Sequence, residues 1–480
     1  MAVPARRTGR SSIAGPVTTT SGFVAHLRYS PRMPRLLFAR RVSVIGRHVC
    51  VVVGRAALVT GGRVVGNGRR VRAAVLGALV LSAALPFRSD TLRAAGAGQV
   101  SQAPAASTPG TPAAPPANAP VAALTGVPKF TVDPAWPVVP ADWAWGQVIG
   151  IFADSRGHVW MSSRSRISEW DAAGRLVQSW DARGPDGNWS TIHGLFVDHK
   201  GFVWTNARES HLTVKFTRTG EVALVIGQFN KTGGSNDPTL MGRPSEVWVD
   251  PADNEVFVAD GYGNRRIVVF DGASGKYLRH WGAYGKRPED PPPPSPGAPD
   301  PGAPPASPAV AAAAPPAQFR IPHGITGARD GLIYLADRGN NRVQVFRQNG
   351  EFVRERILRP LCGAQEQATW APKRPCGVEA AFSVGLSHDA AQTYLYVADG
   401  GTHVITVLRR SDLEVVDEFA GPGVAPGQLG RPHNLTVDPA GNLYVAEAAG
   451  PKVTHPTTGQ QVDAGSRAQK FVLTNRTPGR

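Results

Sequence analysis

Beyond residue 148 the chain alternates apolar and polar positions in short bursts. An apolar run, a turn of Asp and Gly, and a second apolar run make a unit that returns six times. The copies run from Gly150-Ile151-Phe152-Ala153-Asp154 to Val159-Trp160, from Gly194-Leu195-Phe196-Val197-Asp198 to Val203-Trp204, and from Val247-Trp248-Val249-Asp250 to Val256-Phe257-Val258-Ala259-Asp260. They continue from Gly324-Ile325-Thr326 to Tyr334-Leu335-Ala336-Asp337, from Val384-Gly385-Leu386 to Tyr396-Val397-Ala398-Asp399, and from Leu435-Thr436-Val437-Asp438 to Tyr444-Val445-Ala446-Glu447. Period-two alternation bounded by turn residues predicts short antiparallel strands. A third strand follows each copy, as in Asn264 to Phe270 or Asn340 to Phe346, and a fourth lies near Tyr277 to Trp281 and Glu351 to Glu355.

Four strands in a unit of roughly 40 residues is the arithmetic of a propeller blade. The expected fold is all-β, a six-bladed β-propeller over residues 128–475, and the Asn-Arg-Val/Ile-x-x-Phe tail resembles the NHL-repeat type. The last copy ends at a third strand, Arg467 to Leu473, and Lys129 to Val132 is expected to supply its missing outer strand, because a propeller must not leave a long edge open.

Two Pro-rich stretches change the domain picture without adding a domain. Residues 98–127 read as a disordered Ala/Pro-rich tether, and residues 290–316 as an insertion extruded between the third and fourth copies, since no core strand tolerates such proline density. Residues 1–97 read as a disordered leader whose apolar segment 73–87 follows Arg69-Arg70-Val71-Arg72 and precedes Ala95-Gly96-Ala97, the layout of a secretory signal. The segment is short for a spanning helix, and membrane anchoring through it stays open. Export is expected, to a periplasmic, extracellular or outward-facing anchored location.

The formal charge of +16 over 480 residues suggests a nucleic-acid or membrane partner only if it is spread evenly. Arginines crowd into residues 1–72, which hold no Asp or Glu, so the rest is close to neutral. No nucleic-acid partner is expected. Of the three cysteines, Cys50 lies in the leader, and Cys362 with Cys376 form the expected disulfide of an exported chain.

Candidate chemistry rests on histidines at one register of alternate copies: Ile192-His193-Gly194-Leu195, Pro322-His323-Gly324-Ile325 and Pro432-His433-Asn434-Leu435. Innermost strands of a propeller line its channel, so His193, His323 and His433 are expected to converge on the axis. Three neutral imidazoles with an open fourth position are the donor set of a catalytic zinc site, and Fe, Mn or Co also suits imidazole. His158, His199, His280, His388 and His403 lack the shared register and are read as structural.

These motifs resemble the peptidyl-α-hydroxyglycine α-amidating lyases, the second half of the eukaryotic peptide-amidating enzyme. The resemblance covers most of residues 129–473. It is sharpest in His193-Gly194-Leu195 through Val203-Trp204-Thr205 to His211, in Val258-Ala259-Asp260-Gly261-Tyr262-Gly263-Asn264, and in Pro322-His323 with Ala336-Asp337-Arg338. It implies a metal held by His193, His323 and His433, Tyr262 as base or oxyanion-binding phenol, and an active-site arginine at Arg164, with Arg166 as the fallback. It also implies a structural calcium near Leu195 and Asn434, weakened because Asn434 stands where the family has an acid. The family's cysteine after the tyrosine is Gly263 here, so its disulfide is missing, and Arg431 replaces a methionine two residues before the last histidine.

The implied activity is lyase cleavage of a carbinolamide C–N bond in a small-molecule or peptide substrate, releasing an amide and a glyoxylate-like carbonyl product. The alternative is a non-catalytic exported propeller that binds a protein, peptide or glycan. A lactone or ester hydrolase shares the architecture but leans on acidic metal ligands.

Overall fold

The computed structural model describes residues 124–143, 146–163, 165–290, 315–360, 379–448 and 465–475, together with the backbone of a few short strands elsewhere. The apolar segment 73–87, most of the tether, Arg164, most of the insertion, Cys362 and Cys376 lie outside the described residues. Contacts divide the chain into Met1–Ala106 and Ser107–Arg480. In the first unit Val42–Ile45 pairs with His48–Val51, and Val65–Gly66 with Arg69–Arg70. The leader had no periodicity to predict these hairpins. The first is rich in Val and Ile on either side of Gly46, a composition that favours pairing.

The second unit is a six-bladed β-propeller, with six four-stranded antiparallel sheets in its described residues. The innermost strands are Val148–Ala153, Ile192–Val197, Glu246–Val249, Pro322–Gly327, Ser383–Leu386 and Pro432–Val437, and they define blades 1 to 6 in that order. Each strand contacts the next around the ring, and the sixth contacts the first. Phe130–Asp133 closes the ring as the outer strand of blade 6, pairing antiparallel with Arg467–Leu473. The closing strand anticipated at Lys129 to Val132 thus exists, displaced by one residue.

The burial pattern explains why the repeats read as they do. Both faces of an inner blade strand are covered by neighbouring blades, so Val256 to Ala259 and Ile333 to Ala336 are apolar throughout and fully buried. The outer strand Leu176–Asp181 has one wet face and alternates. The core is six wedges, one between each pair of adjacent blades. Trp160 with Ile192 and Phe216 fills the first, and Tyr444 with Val148 and Ile151 fills the last.

The recurring Asp residues pin the strands. At the first hairpin of blades 1, 2 and 6, a carboxylate accepts a ring donor from the second strand: Trp160 Nε1 to Asp154 at 3.2 Å, Trp204 Nε1 to Asp198 at 2.8 Å, and Tyr444 Oη to Asp438 at 3.1 Å. Such charge-assisted bonds contribute about 1.5–3 kcal/mol each. At the second turn the acid closing the second strand meets an arginine opening the third, in Asp260–Arg266 at 2.9 Å, Asp337–Arg342 at 2.8 Å and Glu447–Arg467 at 2.8 Å. Helices among the described residues are three-residue turns, and none is long and apolar enough to cross a membrane.

Candidate metal centre

His193, His323 and His433 each occupy the second position of the innermost strand of an even-numbered blade. They are buried, and their ligand atoms lie within 4.8 Å of one another. The ring centroids form a near-equilateral triangle with sides of 4.8, 4.9 and 5.0 Å. The odd-numbered blades supply the complement at the same register. His193 Nδ1 lies 2.7 Å from the Ser245 carbonyl, His323 Nδ1 2.7 Å from that of Phe382, and His433 Nδ1 2.9 Å from that of Ile149.

A carbonyl oxygen can only accept, so each Nδ1 carries the hydrogen, and each Nε2 keeps its lone pair. Burial pushes all three imidazoles well below their usual proton affinity, with Arg208 adding to the effect at His193 and the neighbouring imidazoles at His323 and His433. Neutral rings oriented through Nδ1 and presenting Nε2 are what a divalent ion needs from its ligands. The donor set fits zinc, and Fe, Mn or Co by the same chemistry.

Tyr262 reaches this triangle from the turn after the second strand of blade 3. Its hydroxyl lies 3.0 Å from His323 Nε2 and 3.2 Å from His193 Nε2, and it accepts a hydrogen bond from Arg338 Nη1 at 2.9 Å. Gly261 makes that approach possible, because a Cβ there would fall 1.8 Å from the Pro322 carbonyl oxygen. Backbone strain collects beside the histidines: Ile321, two residues before His323, has φ 55°, and Thr191, two before His193, has φ 53°. For β-branched residues these are costly conformations held by the surrounding structure.

Arg164, the arginine expected at the site, lies outside the described residues. Its fallback, Arg166, opens the third strand of blade 1 and stacks at 4.9 Å on Trp143. Arg338 takes the place beside the phenol, paired with Glu379 at 2.6 Å and lying 4.0 Å over Phe382. Arg208 lies 4.3 Å over the Tyr262 ring, and Arg431 turns toward Glu379 at 3.6 Å. The Ala-Asp-Arg motif carried the signal for Arg338, but only the return of blade 4 toward the axis places it at Tyr262.

One register deeper, the ring reads Gly150, Gly194, Glu246, Gly324, Ser383 and Asn434 from blade 1 to blade 6. Glu246 was missed by the sequence reading, although Pro244-Ser245-Glu246-Val247 aligns with Pro432-His433-Asn434-Leu435. Its carboxyl accepts the Leu195 amide at 3.0 Å and the side-chain amide of Asn434. Leu195 and Asn434, expected near a calcium, therefore meet at a carboxyl group. The Asn434 side-chain oxygen accepts Ser383 Oγ at 3.2 Å. Burial lifts the Glu246 proton affinity to about 8, against the opposing hydrogen bonds. This layer floors the histidine site and borders a cavity of about 670 Å³ along the later halves of the inner strands.

Comparison with known proteins places the NHL repeat family on residues 319–346. The chain is 34% identical over 228 residues to peptidyl-glycine alpha-amidating monooxygenase B of Xenopus laevis, covering 47% of this chain and 21% of that protein. It is 32% identical over 136 residues to the peptidyl-glycine alpha-amidating monooxygenase of Mus musculus, covering 28% and 11%. NHL repeat-containing protein 3 of Homo sapiens is 24% identical over 261 residues, covering 51% and 58%. The matched segments thus span about a fifth or less of the amidating monooxygenases. Among solved structures, a streptogramin B lyase superposes with a TM-score of 0.43 at 14% identity, covering 72% of this chain and 98% of that one. A gluconolactonase of Xanthomonas campestris gives 0.42 at 13% identity, covering 75% and 99%.

Proposed function

We propose that this NHL-repeat protein, which resembles the peptidyl-glycine alpha-amidating monooxygenases, is a metal-dependent carbon–nitrogen lyase of the peptidyl-α-hydroxyglycine α-amidating type. The observation that carries the reading is the convergence of three buried imidazoles, two of them within hydrogen-bond reach of the Tyr262 hydroxyl. A propeller that only binds a partner has no need of that arrangement. The match to NHL repeat-containing protein 3, which covers more than half of that relative, keeps a non-catalytic binding propeller as the second reading.

His193, His323 and His433 would hold the ion. When bound, a divalent ion such as zinc supplies Lewis acidity that makes a nearby hydroxyl easier to deprotonate. The protein groups do the rest. Tyr262, whose oxygen accepts the Arg338 N–H at 2.9 Å, would accept or relay the proton of the substrate hydroxyl. The oxygen lone pair forms the carbonyl, the C–N bonding pair moves to the amide nitrogen, and that nitrogen takes the proton back from Tyr262. One primary amide and one glyoxylate-like acid leave, with no other reactant required. Arg208 and Arg431 add positive charge on the same face, suited to the substrate carboxylate and to charge developing in the transition state. Arg164, expected from the resemblance to hold that carboxylate, would share the role.

Metal analysis of the purified full chain beside His323→Ala tests the reading, together with release of glyoxylate from an α-hydroxyglycine peptide. Stoichiometric metal lost in the variant, with glyoxylate formed by the wild type alone, is the expected outcome. A metal-free, inactive wild type favours the binding propeller.

A further inference from the structure

Beside Tyr262, between blades 3 and 4, lies a groove of about 370 Å³ whose walls include Tyr262, Arg265, Phe319 and Arg320. Tyr262, one of its walls, is also the residue whose hydroxyl reaches His193 and His323. Most arginines of this face have acidic partners: Arg208 and Arg243 share Glu209, Arg338 pairs with Glu379, Arg266 with Asp260, and Arg342 with Asp337. Arg265 and Arg320 differ, since neither guanidinium has a hydrogen bond or an ion pair among the described residues.

Both side chains are half-buried, so their charge is partly desolvated with no direct ion pair to offset it, an arrangement that costs free energy until an anion arrives. Arg320 is also held in direction. Its stem packs so closely on Gly339 that a Cβ there would lie 2.5 Å from Arg320 Cγ. Burial lowers the proton affinity of Arg320, and the charges of Arg265 and Arg338 add to that, against Glu379 and Asp337. Two like charges facing one groove, one of them fixed, make a preorganised site for an oxyanion between them.

We infer that this groove selects substrates whose acyl portion, on the amide side of the scissile C–N bond, carries a carboxylate, as in an acidic residue preceding the α-hydroxyglycine. Arg265 and Arg320 are specificity residues that take this second anion, separate from the carboxylate that leaves with the glyoxylate-like product. The inference rests on the lyase reading for its substrate, whereas the groove and its charge stand independently.

The test is built so that the two ideas fail separately. Calorimetric titration of the full chain with N-acetylglutamate α-amide and N-acetylglutamine α-amide, both product-like and unreactive, compares a carboxylate with its neutral isostere. The acid is expected to bind about tenfold or more tightly than the amide, with a preference that shrinks as salt is raised. In the Arg265→Gln/Arg320→Gln variant, checked for an unchanged circular dichroism spectrum, the preference is expected to vanish. Equal binding of the two ligands to the wild type overturns the inference without reference to any variant, and so does a preference that survives in a folded double variant. Turnover of N-acetylglutaminyl-α-hydroxyglycine by the wild type, a neutral acyl substrate, reports on the lyase reading alone.

Discussion

Glu246→Gln isolates one buried carboxyl group at the floor of the histidine site. In the folded protein burial lifts this carboxyl from an ordinary 4.5 to about 8, because the Leu195, Val247 and Asn434 hydrogen bonds do not offset the loss of water. The sign follows from which state holds the proton. Between pH 4.5 and 8 the unfolded chain has ionised Glu246 and the folded one has not, so unfolding releases a proton and stability falls as pH rises. The slope from this single group is about 1.4 kcal/mol per pH unit, and the whole interval amounts to about 5 kcal/mol. Glutamine has no proton to lose. Urea unfolding followed by tryptophan fluorescence, in EDTA at pH 5, 6, 7 and 8, gives the stability of each protein, and other titrating groups cancel in the difference. The variant is expected to gain on the wild type steadily with pH, whatever its offset at pH 5. Parallel curves would refute a neutral Glu246. With millimolar calcium, an ion held between Leu195, Asn434 and an ionised Glu246 would flatten the wild-type slope, and an unchanged slope argues against calcium there.

Gly261→Ala places a Cβ 1.8 Å from the Pro322 carbonyl oxygen, and backbone cannot yield there without moving His323. A loss of about 3 kcal/mol or more is expected in denaturant titration, against about 1 kcal/mol for Gly157→Ala, where φ is +77° and nothing lies within 4 Å. Arg342→Met strands the fully buried Asp337 carboxylate and is expected to cost about 3–5 kcal/mol by the same measurement; a loss below 1 kcal/mol contradicts the pairing. Tyr262→Phe is expected to lower glyoxylate release about 10²- to 10⁴-fold while metal content is retained, and full activity in that variant removes Tyr262 from the chemistry.

The repeat unit was legible because each blade obeys one local rule. A strand covered on both faces must be apolar throughout, and its turns must carry Asp and Gly. Six copies of the rule gave six blades, and the incomplete last copy gave the closing strand. His193, His323 and His433 were legible for a related reason, since one register repeated on alternate blades becomes a ring whenever the blades close. The third copy was begun at Val247, one residue too late to show Glu246, because Ser245 and Glu246 are chemically unlike the His-Gly pair that they match in register.

What the sequence determined by itself was therefore everything that recurs with the repeat: the strands, their number, the closure and the histidine register. Only the tertiary structure decided which groups from different blades meet. The carbonyls of Ser245, Phe382 and Ile149 that orient the imidazoles, the placing of Arg338 against Tyr262, and the sharing of Glu246 between Leu195 and Asn434 all join residues far apart in the chain. No local pattern encodes such contacts. They arise because the inner strands of all the blades pack around one axis, which brings residues at one register from successive blades within hydrogen-bond reach.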